Sequence, residues 1–145
     1  MNRADEMKSL KPFFSSLQNE SNRACAVLAG AFLDSRLEKL LRKAMVPTLS
    51  EDLFRGLGPL SSFSAKICIT FSLGFISNDE QADLHVIRKI RNEFAHELDH
   101  ELSFDTEVVA NRASALHMPD LFKSMNHLAD KPLSDERIQE IITVP

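Results

Sequence analysis

The sequence predicts an all-α protein, a single compact helical bundle of six or seven helices that spans residues 1–145 as one domain. Three observations support this fold class. Apolar residues recur at helical spacing in several segments, and no stretch shows sustained period-two alternation with β-branched residues. Three of the four glycines fall at positions 56, 58 and 74, so the breaks between helices are concentrated in one region.

The composition limits the classes of function. The chain has 145 residues, of which 43% are apolar and 26% charged, and its net charge is −4. This balance predicts an ordinary soluble protein without the basic surface of a duplex-DNA reader, so nucleic-acid contact would need a local patch. No apolar run approaches the roughly 20 residues of a membrane span, and no secretory signal is readable. Cys25 and Cys68 lie in apolar helical patterns, which predicts buried reduced thiols in a cytoplasmic protein.

The first half of the chain contains one long predicted helix. Residues 1–15 are predicted to be a loose N-terminal segment. From Asn19 to Ala44 apolar residues recur at helical spacing, and Pro47 is expected to close this helix. A short element at residues 51–55 and a loop at residues 56–60 follow.

The second half contains the remaining predicted helices. Apolar residues at i, i+4 and i+8 predict a helix at residues 60–73, capped by Gly74. A capping box, either Ser77 with Glu80 or Asn78 with Gln81, predicts the start of a helix that runs from about residue 79 to residue 97. Three further helices are predicted from their start signals: one capped by Asp105 that runs to Leu116, one that begins at Pro119 and runs to Ala129, and one capped by Ser134.

The helix at residues 79–97 contains an unusual arginine. On a helical wheel its apolar stripe consists of Leu84, Ile87, Phe94, Ala95 and Leu98, with Arg91 in the middle, and His96 lies about 140° around the helix from that arginine. A buried guanidinium needs a negative partner, because an unpaired buried charge costs several kcal/mol.

Three explanations of Arg91 are open. The arginine pairs with a carboxylate of another helix, for which Asp34, Glu38 and Asp52 are the candidates. It extends along the edge of the core with its charge in solvent. Alternatively, it lines a polar cleft where a phosphate meets it. His96 taken alone is equally well explained as a solvated histidine.

The centre of the chain resembles the mannitol-operon repressor (MltR) family. The shared pattern is Gly58-Pro59-Leu60, then Leu73-Gly74-Phe75-Ile76 at a helix end, then an acidic helix that leads to Arg91 and His96. The resemblance covers residues 24–110 and implies an all-helical fold and a regulatory role. It does not imply a mechanism. No helix-turn-helix with a basic recognition helix is evident, since the most basic segment, at residues 36–45, carries leucines on its other face.

The segment "RNEFAH" also resembles the Arg-Asn-x3-His pattern of the HEPN superfamily, which includes metal-independent ribonucleases and toxins. This resemblance makes Arg91, Asn92 and His96 candidate catalytic residues. A histidine near pKa 6.5 can move the protons of RNA self-cleavage, and an arginine can bind the phosphate through two bonds. Such a reaction needs no metal and no cofactor.

A competing motif overlaps this one. The segment from His96 to His100 reads H-E-L-D-H, the zinc-protease pattern that places two imidazoles on one helix face. Ser103 and Thr106 occupy the positions where the longer form of the motif requires glycine and histidine, and no third ligand is indicated. No metal site is therefore predicted.

These observations predict a cytoplasmic regulator of the MltR type that acts through protein or RNA contacts. The alternatives are a HEPN-type endoribonuclease that uses Arg91 and His96, and a purely structural interaction module. Because one straight helix keeps those two residues apart, a homodimer that pools them about a two-fold axis is also predicted.

Overall fold

The computed structural model describes residues 3–46, 51–97 and 102–117, and these residues form helices without a strand. The all-α class is therefore confirmed for the described part of the chain. The predicted count of six or seven is not matched there, since the described residues contain five α-helices and one 3₁₀ turn at Glu51–Leu53. The α-helices are α1 Arg3–Leu17, α2 Asn22–Ala44, α3 Phe63–Ser72, α4 Asn78–His96 and α5 Glu107–Ala113. Pro47 and the helices predicted after Pro119 and Ser134 lie outside the described residues.

Serine side chains fix the starts of the three central helices. Ser21, Ser62 and Ser77 each accept a hydrogen bond from a backbone N–H in the first turn of α2, α3 and α4. At α4 the Glu80 carboxylate also accepts from the Ser77 backbone N–H at 2.7 Å, so the first of the two predicted capping boxes is confirmed. Gly74 has a φ of +73°, which fits its predicted role after the end of α3.

Two predictions about helix boundaries are wrong. The segment predicted to be loose forms α1, which packs on α2 through the ring of Phe13, 4.4 Å from that of Phe32. The helix predicted from Asp105 to Leu116 is shorter and begins after Thr106. Asp105 lies instead in the preceding turn, where its backbone N–H donates to Ser103 Oγ at 3.2 Å. The first difference arises from a contact with a residue distant in the sequence, and the second arises from a local turn in which the Ser103 backbone N–H also donates to Thr106 Oγ1.

The core is built around α4, which packs against α2, α3 and α5. One buried cluster joins α4 to α2 and α5, and a second joins α2 to α3. Phe94 is fully buried in the first cluster and contributes about 1.5–3 kcal/mol to folding. The members of the first cluster are Ala26, Ile90, Phe94 and Val109, and those of the second are Leu37, Phe63 and Ile67. No helix in the described part of the chain is both long and apolar enough to cross a membrane.

Candidate functional site

The buried face of α4 differs from the predicted one. Its buried residues are Asp83, Ile90 and Phe94, whereas Ala95 is exposed. Leu98 lies outside the described residues. Successive residues lie about 100° apart on a helix, so Arg91 stands beside the core face and not in its middle. Arg91 is half-buried at the margin of the core.

The position of Arg91 depends on a glycine in the middle of α2. A Cβ atom added to Gly30 would lie 2.7 Å from Cγ and 3.1 Å from Cβ of Arg91. Only a glycine leaves this space, so the aliphatic part of the arginine lies directly across the backbone of α2. The sequence carried a signal for this contact, because a glycine inside a helix is unfavourable by about 1 kcal/mol relative to alanine and needs a packing reason.

The guanidinium of Arg91 reaches a groove between α2 and α4. Nη1 donates to Oδ1 of Asn92 at 3.0 Å. Arg91 forms no ion pair with any residue that the structure describes, so the predicted pairing with Asp34, Glu38 or Asp52 is not found there. The groove encloses about 390 Å³ and is lined by Ala31, Asp34, Ser35, Glu38, Lys39, Arg42 and Arg91.

The two carboxylates of this groove are bound by a buried lysine. Lys66 of α3 is 3% exposed, and its Nζ lies 3.0 Å from Oδ1 of Asp34 and 3.0 Å from Oε2 of Glu38. Arg42 also donates to Glu38 at 3.0 Å. Burial raises the pKa of Glu38, but the bonds from Lys66 and Arg42 outweigh it, and the net pKa is lowered. Both acids that line the groove with Arg91 therefore lie within ion-pair distance of another cation.

Lys66 was not among the residues predicted from the sequence to have a role. Its place could have been read from its spacing, because Phe63, Lys66, Ile67 and Thr70 form the buried face of α3 at helical intervals. A lysine in such a stripe needs a carboxylate partner.

His96 is exposed at the last residue of α4, away from the groove. It lines a shallow depression of about 250 Å³ together with Asn92, Glu93 and Glu97. Arg23 of α2 holds this helix end, since it donates to the backbone oxygens of Phe94 at 2.8 Å and of Glu97 at 2.7 Å.

The structure gives no support to the zinc-protease pattern. The helix ends at His96, and Glu97 has an extended conformation with a ψ of 120°. The helical face that the motif requires therefore stops at its first residue, and residues 98–100 lie outside the described residues. Within residues 3–46, 51–97 and 102–117, no group of three His, Cys, Asp or Glu side chains is placed to hold a metal ion.

Of the three candidate catalytic residues, the structure brings two together directly. Arg91 and Asn92 are hydrogen-bonded, while His96 shares only the depression with Asn92. The helix stays regular through Ala95, so it does not loosen in a way that would turn His96 towards the groove. Asn92 is thus the link between the Arg91 groove and the His96 depression.

A second polar contact, which the sequence analysis missed, ties the segment after α5 to α4. Asp83 is 5% exposed and its Oδ1 accepts from the backbone N–H of His117 at 2.8 Å. The same oxygen lies 2.8 Å from Nδ1 of His117, and Oδ1 of Asp79 lies 3.7 Å from Nε2. The hydrogen bond to Asp83 raises the pKa of His117. Glu93 of α4 and Arg112 form an ion pair that binds α5 itself to α4.

Comparison with known proteins gives one match. The family model described as mannitol repressor (MtlR) matches residues 14–142. No curated protein matches the chain, and no solved structure does. The match covers most of the chain and includes α2, α3, α4 and α5 in full.

Proposed function

The chain belongs to the mannitol repressor (MtlR) family, and from that premise we propose that it is a cytoplasmic regulator that represses an operon for the use of a sugar alcohol. The contact through which it acts involves Arg91 and an anionic group of a partner, which is a protein or an RNA. It does not act by inserting a recognition helix into duplex DNA.

The observation that carries this proposal is the state of Arg91. Arg91 lines the groove, and its guanidinium has one hydrogen bond, to Asn92, and no ion pair among the described residues. Each acid near it is bound elsewhere: Asp34 to Lys66, and Glu38 to Lys66 and Arg42. A half-buried arginine held over Gly30 and left without an anion is well placed to bind one from a partner.

The most basic segment of α2 lacks the features of a helix that reads base edges in a DNA groove. Arg42 binds both oxygens of Glu51, at 2.8 and 3.0 Å, and lies over the ring of Phe54. Leu37 and Leu41 of the same segment are buried in the bundle. A recognition helix must present its cations to phosphates and base edges, whereas here the central arginine is bound internally.

The test is a repression assay combined with a stability measurement. A reporter for the sugar-alcohol operon is placed in a strain without the endogenous repressor and complemented with wild type, Arg91→Ala or Arg36→Ala. Arg36 is a matched control because it is half-buried on α2 over the ring of Phe32, at 5.3 Å, outside the groove. We expect Arg91→Ala alone to lose repression while its melting temperature stays close to that of wild type.

Two results would overturn the proposal. If Arg91→Ala represses as well as wild type, the groove is not the working contact. If Arg91→Ala loses several kcal/mol of stability while His96→Ala does not, the arginine is a structural residue.

A metal-independent ribonuclease is the second candidate, and the position of Asn92 favours it. Its Oδ1 accepts from Arg91 and it also lines the depression with His96, so Asn92 adjoins both other candidate residues. The purified protein is incubated with total RNA in EDTA. Cleavage that both Arg91→Ala and His96→Ala abolish, and that Arg36→Ala retains, would establish this activity. Intact RNA would exclude it under those conditions.

A further inference from the structure

One side of α4, on which Lys89 is exposed and the neighbouring polar residues are half-buried, has a charge pattern that the groove does not account for. His85, Arg88, Lys89 and Asn92 follow one another at spacings of three and four residues, and together they are called the basic stripe here. On a helix with about 100° per residue, the stripe lies opposite the buried residues of α4. Residues 84–92 contain no aspartate and no glutamate.

No anion within the described part of the chain neutralises this stripe. The acids that flank it along α4 are engaged elsewhere, Asp83 with His117 and Glu93 with Arg112. Arg88 and Lys89 form no ion pair with a described residue. No acid lies three or four residues from Arg88, and Glu93, which lies four residues after Lys89, is bound to Arg112.

Two buried atoms in the stripe also lack partners. Nε of Arg88 and Nδ1 of His85 are covered by the protein and have no hydrogen-bond partner among the described residues. Burial, and then the charges of Arg88 and Lys89, lower the pKa of His85. Arg88 and Lys89, with no acid at residues 84–92, make the charge along this side of α4 positive.

We infer that the basic stripe is a docking surface for an acidic helix of a partner protein. Cations at three- and four-residue spacing along a straight helix match carboxylates at the same spacing on a second helix. The inference rests on the proposed function, because this protein–protein contact would be the one that brings an anionic group to Arg91.

The features of the stripe favour protein over nucleic acid. Proteins that bind single strands stack bases on aromatic side chains, and the stripe contains no aromatic residue other than the imidazole of His85. The net charge of −4 repels a long polyanion at a distance, whereas a short acidic helix meets only the local positive potential.

The test measures binding of two synthetic alanine-based helical peptides of equal composition. In one peptide the glutamates lie on a single face, at i, i+3 and i+4, and in the other they are distributed around the helix. Fluorescence anisotropy is read at low salt, with polyuridylate RNA as a third probe. We expect the full-length protein to bind the one-faced peptide about tenfold more tightly than the distributed peptide or the RNA.

Charge reversal locates the contact. The double variant Arg88→Glu with Lys89→Glu should lose at least about tenfold in affinity for the one-faced peptide. The matched control is Lys8→Glu with Lys11→Glu, which changes the net charge equally at two exposed lysines of α1. Equal loss in the control, equal binding of both peptides, preferred binding of RNA, or no binding at all would each overturn the inference.

The repression assay separates this inference from the proposed function. The stripe variant is Arg88→Glu with Lys89→Glu. If it no longer binds the one-faced peptide but still represses, the stripe is not the contact through which the protein represses, and the proposed function depends on Arg91 alone. If the stripe variant loses both peptide binding and repression while Arg91→Ala represses normally, the site proposed at Arg91 is wrong and the docking surface is supported.

Discussion

At the scale of single residues, Gly30 and Arg91 act as a matched pair. Gly30 lowers the helix propensity of α2, and its lack of a side chain leaves room for the Arg91 side chain of α4. Arg91 in turn lines the groove, and the aliphatic part of its side chain lies against α2. The pair links the packing of the two central helices to the orientation of the candidate ligand-binding group.

This pairing predicts that the effect of Gly30→Ala on stability depends on the side chain at position 91. In wild type the new Cβ would meet Arg91 Cγ at 2.7 Å, so we expect a loss of about 1–3 kcal/mol from overpacking, reduced by about 1 kcal/mol of helix propensity. In an Arg91→Ala background the clash with Cγ is gone and only the 3.1 Å contact with the Cβ of residue 91 remains, so the same substitution should cost less stability than in wild type. Urea unfolding of the four proteins in the cycle measures both effects. An equal loss in both backgrounds would contradict the contact.

The residue scale also shows what the sequence could reveal. Ser77, Glu80 and Gly74 were predictable because a cap is decided by neighbours within four residues. The placement of Arg91 in the core was wrong because the apolar stripe alone does not reveal which side other helices cover. Asp83 is polar and yet buried, and it shifts the centre of the buried face away from Arg91.

At the scale of elements, α4 is held at both ends and through its middle. Asp83 binds His117 near its start, Glu93 binds Arg112, and Arg23 binds the carbonyls at its end. All these partners are distant in the sequence, which explains why the contacts were not predicted. They fix the direction in which the candidate site and the basic stripe face.

The bond between Asp83 and His117 predicts a dependence of stability on pH. The pKa of His117 is raised above 6.5, so the folded protein favours the protonated imidazole. The stabilisation from the charged bond is therefore full below pH 6.5 and is lost as the pH rises through the raised pKa. The melting temperature of wild type relative to His117→Ala should fall across that window. A difference that does not change with pH would contradict the prediction, and Asp83→Asn should remove the dependence.

The buried lysine of α3 predicts a large effect of another kind. In Lys66→Met, Asp34 and Glu38 lose their common cation inside the bundle, and we expect a loss of about 3–5 kcal/mol in urea unfolding. Adding Asp34→Asn and Glu38→Gln to the same chain should recover part of that loss, because the unpaired charges are removed. If Lys66→Met is neutral by itself, the lysine does not bind the two carboxylates in solution. The pKa of Glu38 is lowered from its usual value of 4.5. The stability that its ion pairs contribute is therefore present above pH 4.5 and is lost as the pH falls through the lowered pKa.

At the scale of the whole molecule, the all-α class could be predicted because helical periodicity is a local property of the sequence. The same reasoning missed α1, whose attachment depends on Phe13 packing against Phe32 of the next helix. The resemblance to the HEPN pattern made Arg91, Asn92 and His96 candidates, but their surroundings could not be predicted, since a helical wheel gives directions and no neighbours. The groove could not be predicted because most of its lining residues lie on α2. The ion pairs of its acids could not be predicted because their common cation, Lys66, lies on α3.

The separation of Arg91 and His96 in one chain predicts a homodimer if they act together. Arg91 lines the groove between α2 and α4, and His96 lies in a depression at the end of α4. A two-fold axis that brings the end of one α4 to the groove of the other chain would place the partner's His96 beside the groove of the first chain and complete two equivalent sites. Light scattering at micromolar concentration should therefore give twice the 16.3 kDa of the single chain. For an RNA-cleaving protein, an equal mixture of Arg91→Ala and His96→Ala chains should regain about a quarter of the wild-type activity, since half of the dimers carry one intact site. A monomer, or an active enzyme whose mixed variants stay inactive, would exclude the shared site.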